Sequence, residues 1–355
     1  MDCTKSQELI QILPRADGGE AVFATKKIRR GTRLAAELPL IIVPPTSAKD
    51  ELLEFCKAAY KIGEDKISEI AEINCRFPIE ESILEDGIIR RLVWRFYKTK
   101  KWMDTKGRHL KGKKLDRGVT KTVGLCAIYL TSSIQLGPEG IYGSGIFSFC
   151  SRIAHSCIPN AYSSWNPTLQ RLTIHASRDI KAGDQIFVDY TGNVCWTSEQ
   201  RGFSLFSTWG ITCQCAACTD PDLKESRHEM LRLDQALAAY ECGASSDENF
   251  EAVHKIRRIT TADEALEAAE ELMELLREQK LFGMQLCKTF RECSKFSLEC
   301  GFLKKALKYA FKERDLEREL IGTEDEHLEA GLCGGKYWVG YVQQEIKARS
   351  EESEP

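Results

Sequence analysis

The 355-residue chain has no apolar run of bilayer-spanning length, so neither a transmembrane helix nor a membrane partner is expected. Its first residues, Met1-Asp2-Cys3-Thr4-Lys5, lack the basic-then-apolar layout of a secretory signal. Neither sign of charge is in excess: 50 basic residues stand against 53 acidic ones, a net charge of −3, so the whole-chain field predicts no nucleic-acid partner. A disulfide framework is not expected either. The 15 cysteines are odd in number and scattered, which points to a reducing compartment with free or metal-bound thiols, the cytosol, the nucleus or both. No Ser-His-Asp or metal-hydrolase arrangement is evident. What is present suits a soluble protein. Hydrophobic content of 43% is ample for a core, 29% charge is ordinary, and the length suggests two or three compact units.

Three stretches carry the chemistry. The first, Ser151-Arg152-Ile153-Ala154-His155-Ser156-Cys157-Ile158-Pro159-Asn160, is a polar loop held stiff by a proline. In the second, Ile180 to Tyr190, a turn at Gly183 leads into an alternating strand with Ile186 and Val188 on one face, ending on a tyrosine. The third, Cys213-Gln214-Cys215-Ala216-Ala217-Cys218, has metal-ligand spacing. Structural zinc takes four ligands in a tetrahedron, so three clustered thiolates ask for a fourth from elsewhere; the bland alternative is a set of buried thiols.

Around these, Asp17 to Ala24 reads as a glycine turn entering a strand, and Leu34 to Val43 as another, with Pro39 at an edge or bend. Residues 47–121 are helical in spacing (Leu52, Leu53, Cys56, Ala59, Tyr60; Ile88, Leu92, Phe96). Residues 90–117 are strongly basic, with Trp94, Phe96, Tyr97 and Trp102 interleaved. The favoured reading is a solvated helix face and loop; the sharper one is a contact for nucleic acid or another acidic partner. Short strands and turns are expected from Gly124 to Cys150, and an alternating strand at Leu172 to Ala176, where His175 is read as structural. From Pro221 onward the pattern is helical. Ala265, Leu266, Ala269, Leu272, Leu275 and Leu276 mark one clear helix. Leu298, Gly301, Ala306 and Ala310 space like half a tetratricopeptide repeat, with Gly301 where two helices approach.

Taken in this order, the motifs from about Gly18 to Cys218 resemble the SET-domain protein-lysine methyltransferases, and within them the SET-and-MYND branch and its fungal-type relatives. Glu37-Leu38-Pro39-Leu40 is a further point of likeness. The MYND zinc module of that branch is missing from the resemblance, since Cys56 and Cys75 are the only cysteines in 47–121. The resemblance implies an α+β fold. Its parts are a SET core of short sheets closed by a pseudoknot (1–46 and 122–192), a helical insertion (47–121), a zinc-bound post-SET segment (193–220), a helical, tetratricopeptide-like lobe (221–349) and a disordered tail (350–355).

It also implies roles. Cys157 would join Cys213, Cys215 and Cys218 on a structural zinc. Tyr190 would be the catalytic tyrosine of the lysine channel. The cofactor S-adenosylmethionine would meet Gly19, Glu20, Ala21, Ser132, Ala154, His155, Tyr190 and Ile211. Asn160 would hydrogen-bond backbone within the knot. Four positions depart from the family pattern. Ala154 and Ser132 stand where asparagines are usual, Ala21 where a second glycine is, and Ile211 where an aromatic is. Alanine cannot replace an asparagine's hydrogen bonds. Two functions are therefore expected side by side. One is an enzyme methylating lysine in a protein substrate, histone or other. The other is a SET scaffold that binds a partner without turnover.

Overall fold

Local pairing begins the chain. β1 (Ile10–Pro14) and β2 (Glu20–Ala24) form an antiparallel hairpin with Ile12 opposite Val22. The structure, a computed structural model, describes residues 8–14, 19–47, 50–73, 87–99, 112–247, 250–323 and 334–352. The sequence reading starts at the glycine turn and misses β1, whose residues are mostly exposed and so leave no burial pattern.

The stretch 34–43 is two strands rather than one. β3 (Arg33–Glu37) joins the sheet β3-β9-β8 with β9 (Arg171–Ala176) and β8 (Ala161–Asn166). β4 (Ile41–Val43) joins a second sheet, β4-β6-β5, with β6 (Ser144–Ile146) and β5 (Ile134–Gln135). Pro39, lacking an N–H, sits at the switch, and pairing resumes when the Leu40 N–H donates to Ile146 O at 2.8 Å. Gly143 lets the sheet close. Its φ is +90°, and a Cβ there would stand 2.0 Å from the Val43 carbonyl oxygen.

The segment 183–190 is laced on both sides. Towards β2, the Ala24 N–H donates to Asp184 O and the Ile186 N–H to Val22 O. Towards the polar loop, β10 (Phe187–Val188) pairs in parallel with β7 (Ala154–His155). Asn160 locks the crossing from the loop side. Its Nδ2 donates to Gln185 O and its Oδ1 accepts from the Phe187 N–H, each at 2.8 Å. Val22, Leu34, Phe147, Ile174, Ile186 and Val188 fill the core between these sheets.

The insertion is helical: α1 (Glu51–Lys61), α2 (Glu64–Ala71), α3 (Gly87–Thr99) and α4 (Lys113–Ser132). Here the expected boundary near 121 moves. α4 runs through Gly124 to Ser132, because Val123, Leu125, Cys126, Ile128 and Tyr129 are buried in the core that Phe55, Ile70 and Val93 share. Packing outweighs a single glycine in a helix. Of the basic run, Arg90, Arg91, Lys113, Lys114 and Arg117 are exposed, and Phe96 is buried in the insertion core. Residues 100–111 of that run, Trp102 included, lie outside the described residues.

After the sheets come α5 (Ser198–Trp209), the short α6 (Ala216–Thr219) and α7 (Pro221–Glu241). The helical lobe continues with α8 (Phe250–His254), α9 (Ala262–Glu278), α10 (Met284–Glu299), α11 (Leu303–Ile321) and α12 (Gly335–Glu352). α9 is the helix whose spacing is clearest in the sequence, and Thr261 and Glu264 form its reciprocal cap. Gly301 differs from expectation. It turns the chain between α10 and α11 at φ +81°, and nothing lies within 4 Å of where its Cβ would be, so it serves conformation and not close approach. α12 continues to Glu352, past the expected start of the tail at Ser350.

Asn160→Ala would leave a backbone donor and a backbone acceptor unpaired at the crossing. The expected cost is roughly 2–4 kcal/mol, read as a lower urea midpoint. An unchanged midpoint would show that the amide does not hold the crossing.

Candidate functional site

α5 begins at a reciprocal cap between Thr197 and Gln200 and stops at Gly210, φ 62°. That stop turns the following segment back towards the loop after β7. There Cys157, Cys213, Cys215 and Cys218 bring their sulfurs within 4.8 Å of one another. Cys157 Sγ is 3.9 Å from Cys213 Sγ and 3.5 Å from Cys218 Sγ. Tetrahedral zinc with bonds of about 2.3 Å needs sulfurs about 3.8 Å apart, so this donor set fits the metal. Hydrogen bonding among the four sulfurs divides them: Cys157 and Cys213 are pushed up, whereas hydrogen bonding from Cys157, the largest influence, holds Cys218 down at about 6 and Cys215 lower still.

Buried charge around the sulfurs points the same way. Arg201 on α5 and Arg227 on α7 are both 0% exposed, and neither makes an ion pair with a carboxylate among the described residues. Arg201 donates to Trp196 O, to Ala217 O at 3.0 Å and to Cys218 Sγ at 3.7 Å. Burial opposes its charge, but the sulfurs of Cys157 and Cys218 outweigh burial and hold Arg201 above its ordinary value. Arg227 donates to Cys157 O at 2.9 Å. Burial brings Arg227 down to about 10, still charged at neutral pH. A divalent metal on four thiolates carries a net charge of about −2, which two guanidinium groups balance.

His155 lies against the same sulfurs. The Tyr190 N–H donates to its Nδ1 at 3.1 Å, which leaves the ring hydrogen of the neutral imidazole on Nε2, 3.3 Å from Cys157 Sγ. The ring is thus turned to the sulfur and to Tyr190, whose ring centroid is 5.4 Å away. On its other side Tyr190 meets Trp209, also at 5.4 Å. The Tyr190 hydroxyl donates to Ile153 O at 2.5 Å.

Tyr190 lines a cavity of about 1100 Å³ between the SET-like core and the helical lobe. Ser132, Ser133 and Trp165 line the core side, and Met284, Lys288, Arg291 and Glu313 the lobe side. Arg291 Nε lies 2.9 and 2.8 Å from the two oxygens of Glu313, which burial pushes up to about 7. At the insertion end, the Tyr129 hydroxyl donates to Glu51 Oε1 at 2.5 Å, and Ser144 adjoins both.

Of the residues singled out in the sequence, Ser132 and Tyr190 line this cavity, whereas Gly19, Glu20, Ala21, Ala154, His155 and Ile211 are not on its wall. Glu20 pairs with Arg152 at 2.6 Å, which ties the start of β2 to the turn before Ala154. Ala21 and Ala154 are buried, and Ile211 packs against the cysteine cluster beside Tyr190 and Trp209. His175 accepts from Arg33 Nε at 3.2 Å within the sheet. Sequence reasoning passed over Trp209, two residues before the position where an aromatic was expected. It also passed over Arg201 and Arg227. A signal existed for Arg227: it shares a helical stripe with the buried Met230, Leu233 and Leu237, where an arginine is out of place.

Residues 19–191 match the family model of the SET domain. Histone-lysine N-methyltransferase set5 of Schizosaccharomyces pombe is 36% identical over 97 residues, 27% of this chain and 30% of that protein. N-lysine methyltransferase SMYD2 of Homo sapiens is 31% identical over 91 residues, 26% of this chain and 20% of that protein. The chain thus spans less than a third of the length of these relatives. The crystal structure of the SET domain of LSMT bound to lysine and AdoHcy aligns with 96% of this chain and 88% of its own, at 14% identity and a TM-score of 0.36.

Elemental analysis of purified protein is expected to give one zinc per chain. Cys215→Ser should drop that content well below one, because the site has no spare thiolate among the described residues. Zinc-free protein with its fold intact would refute the assignment.

Proposed function

We propose that this chain, whose residues 19–191 are a SET domain, transfers a methyl group from S-adenosylmethionine to the side-chain amine of lysine in another protein. The observation that carries the reading is Tyr190. It lines the cavity, its ring lies between those of His155 and Trp209, and its hydroxyl is fixed on the Ile153 carbonyl. The similarity to relatives named as histone-lysine and N-lysine methyltransferases supports the same reading.

When bound, S-adenosylmethionine supplies a methyl group on a positively charged sulfonium. The residues to hold it are the backbone at Gly19, the Ser132 hydroxyl, and the aromatic ring of Trp209 in place of one at Ile211. The chain's own part is alignment. A neutral lysine amine enters the cavity, and the Tyr190 hydroxyl and the Ile153 carbonyl orient it and exclude water from the point of attack. No side chain acts as a nucleophile. The four cysteines, with zinc, fix the loop 154–160, and so the position of His155 and Tyr190. The substrate is a protein, histone or other, met in the cytosol or nucleus.

A second reading rests on Ala154. The residue is buried and carries no polar group to meet the cofactor where the family has an asparagine. On that reading the chain is a SET scaffold that binds a protein partner without turnover.

Calorimetric titration with S-adenosylmethionine separates the two. Micromolar binding, with methyl transfer to histones or a total-protein extract, is expected from the enzyme. Tyr190→Phe should keep zinc and fold and lose most of the turnover. Ala154→Asn should tighten cofactor binding by about 10- to 100-fold, the worth of one hydrogen bond to a charged group. Wild type and Ala154→Asn both failing to bind cofactor while keeping zinc would leave the scaffold reading.

A further inference from the structure

We infer that Arg227 is the positioning residue through which metal occupancy of the four-cysteine site fixes the helical lobe against the SET domain, and with it the far wall of the cavity. One side chain reaches three parts of the chain. Nη2 donates to Cys157 O on the SET loop at 2.9 Å, Nη1 donates to Val194 O on the connecting segment, and Nε donates to Gln279 Oε1 at the end of α9 at 2.5 Å. Gln279 in turn donates from Nε2 to Leu223 O at the start of α7. The guanidinium is therefore the point where the SET loop, α7 and α9 meet.

Its hydrogen bonds are met, but the carboxylate that acts on its charge, Asp189, does so from beyond ion-pair distance. All three acceptors are neutral oxygens, and no carboxylate pairs with it or with its neighbour Arg201 among the described residues. A guanidinium keeps its proton in a folded protein, and burying it without a directly paired counter-charge is unfavourable. The compact negative charge of a loaded four-thiolate centre lies within reach, with Arg201 already on Cys218 Sγ. Without the metal the loop at Cys157 is no longer tethered to residues 213–218, so the carbonyl that Arg227 holds can move, and the route by which Arg227 regains water is separation of α7 from that loop. That movement carries α9, and then α10, whose Met284, Lys288 and Arg291 form the lobe side of the cavity. The inference rests on the metal assignment and not on methyl transfer.

Amide hydrogen exchange on the full chain, zinc-loaded against chelator-stripped, tests it. Stripping is expected to raise exchange in α7, α9 and the start of α10 as well as at the cysteines. Faster exchange confined to residues 154–160 and 213–218 would overturn the inference. In competition with a chromophoric chelator, Arg227→Met should weaken zinc binding by about 10- to 100-fold, with Arg227→Lys recovering part of the loss. Leu233→Ala, which weakens the lobe core without touching the charge, should leave zinc affinity unchanged. Folded Arg227→Met with wild-type zinc affinity would refute the role, as would a protein that takes up no metal. If Arg227→Met does not fold, exchange on the wild type decides.

Discussion

An arginine withdrawn from water needs a partner that stays negative, and two such arginines meet at the four-cysteine site. Arg201 and Arg227 reach the site from different helices, and both face the cysteine cluster. The surrounding local structure serves that meeting. The Thr197 cap starts α5 so that Arg201 points inward, the left-handed stop at Gly210 returns the chain towards Cys157, and Asp220 caps α7 so that Arg227 descends on the same point. None of these features has a strong energetic preference alone. The electrostatic requirement makes them consistent with one another.

The crossing of residues 183–190 with the polar loop is the second constraint, and it explains why Tyr190 is where it is. Tyr190 is the last residue of the laced segment, and its side chain lines the cavity. Its direction is set by what precedes it: Asn160 holds the Phe187 backbone, and His155 holds the Tyr190 N–H. The hydroxyl is thus placed by backbone contacts and not by a flexible side-chain network. The cavity it lines has one side from residues within 19–191 and another from α10 and α11.

What could be read in the sequence was local in origin. Cys213, Cys215 and Cys218 announce themselves by spacing, because metal chemistry demands short loops between ligands. α9 is legible because its stripe and its Thr261–Glu264 cap lie within one segment. The break between β3 and β4 is not legible in the same way. It depends on partners from two distant strands, Thr173 for one side and Ile146 for the other. Short strands and turns are expected from Gly124 onward, and the burial of α4 against the insertion core overrules that expectation as far as Ser132. Trp209 was missed because the position expected for an aromatic was counted back from Cys213, whereas the ring against Tyr190 is set by where α5 ends.

The lacing of 183–190 between β2 and the polar loop has a consequence for the order in which the chain acquires structure. β2 precedes its partner along one edge, residues 183–186, by nearly the whole length of the 19–191 segment. Until then the edge of β2 that later meets 183–186 has no partner, while α1, α2 and α4 can already pack through nearby contacts. The helical lobe, built from consecutive hairpins of low sequence separation, needs no such wait. The slow event in folding is therefore expected to be closure of the crossing around Asn160. The last surface to mature is the one that carries Tyr190.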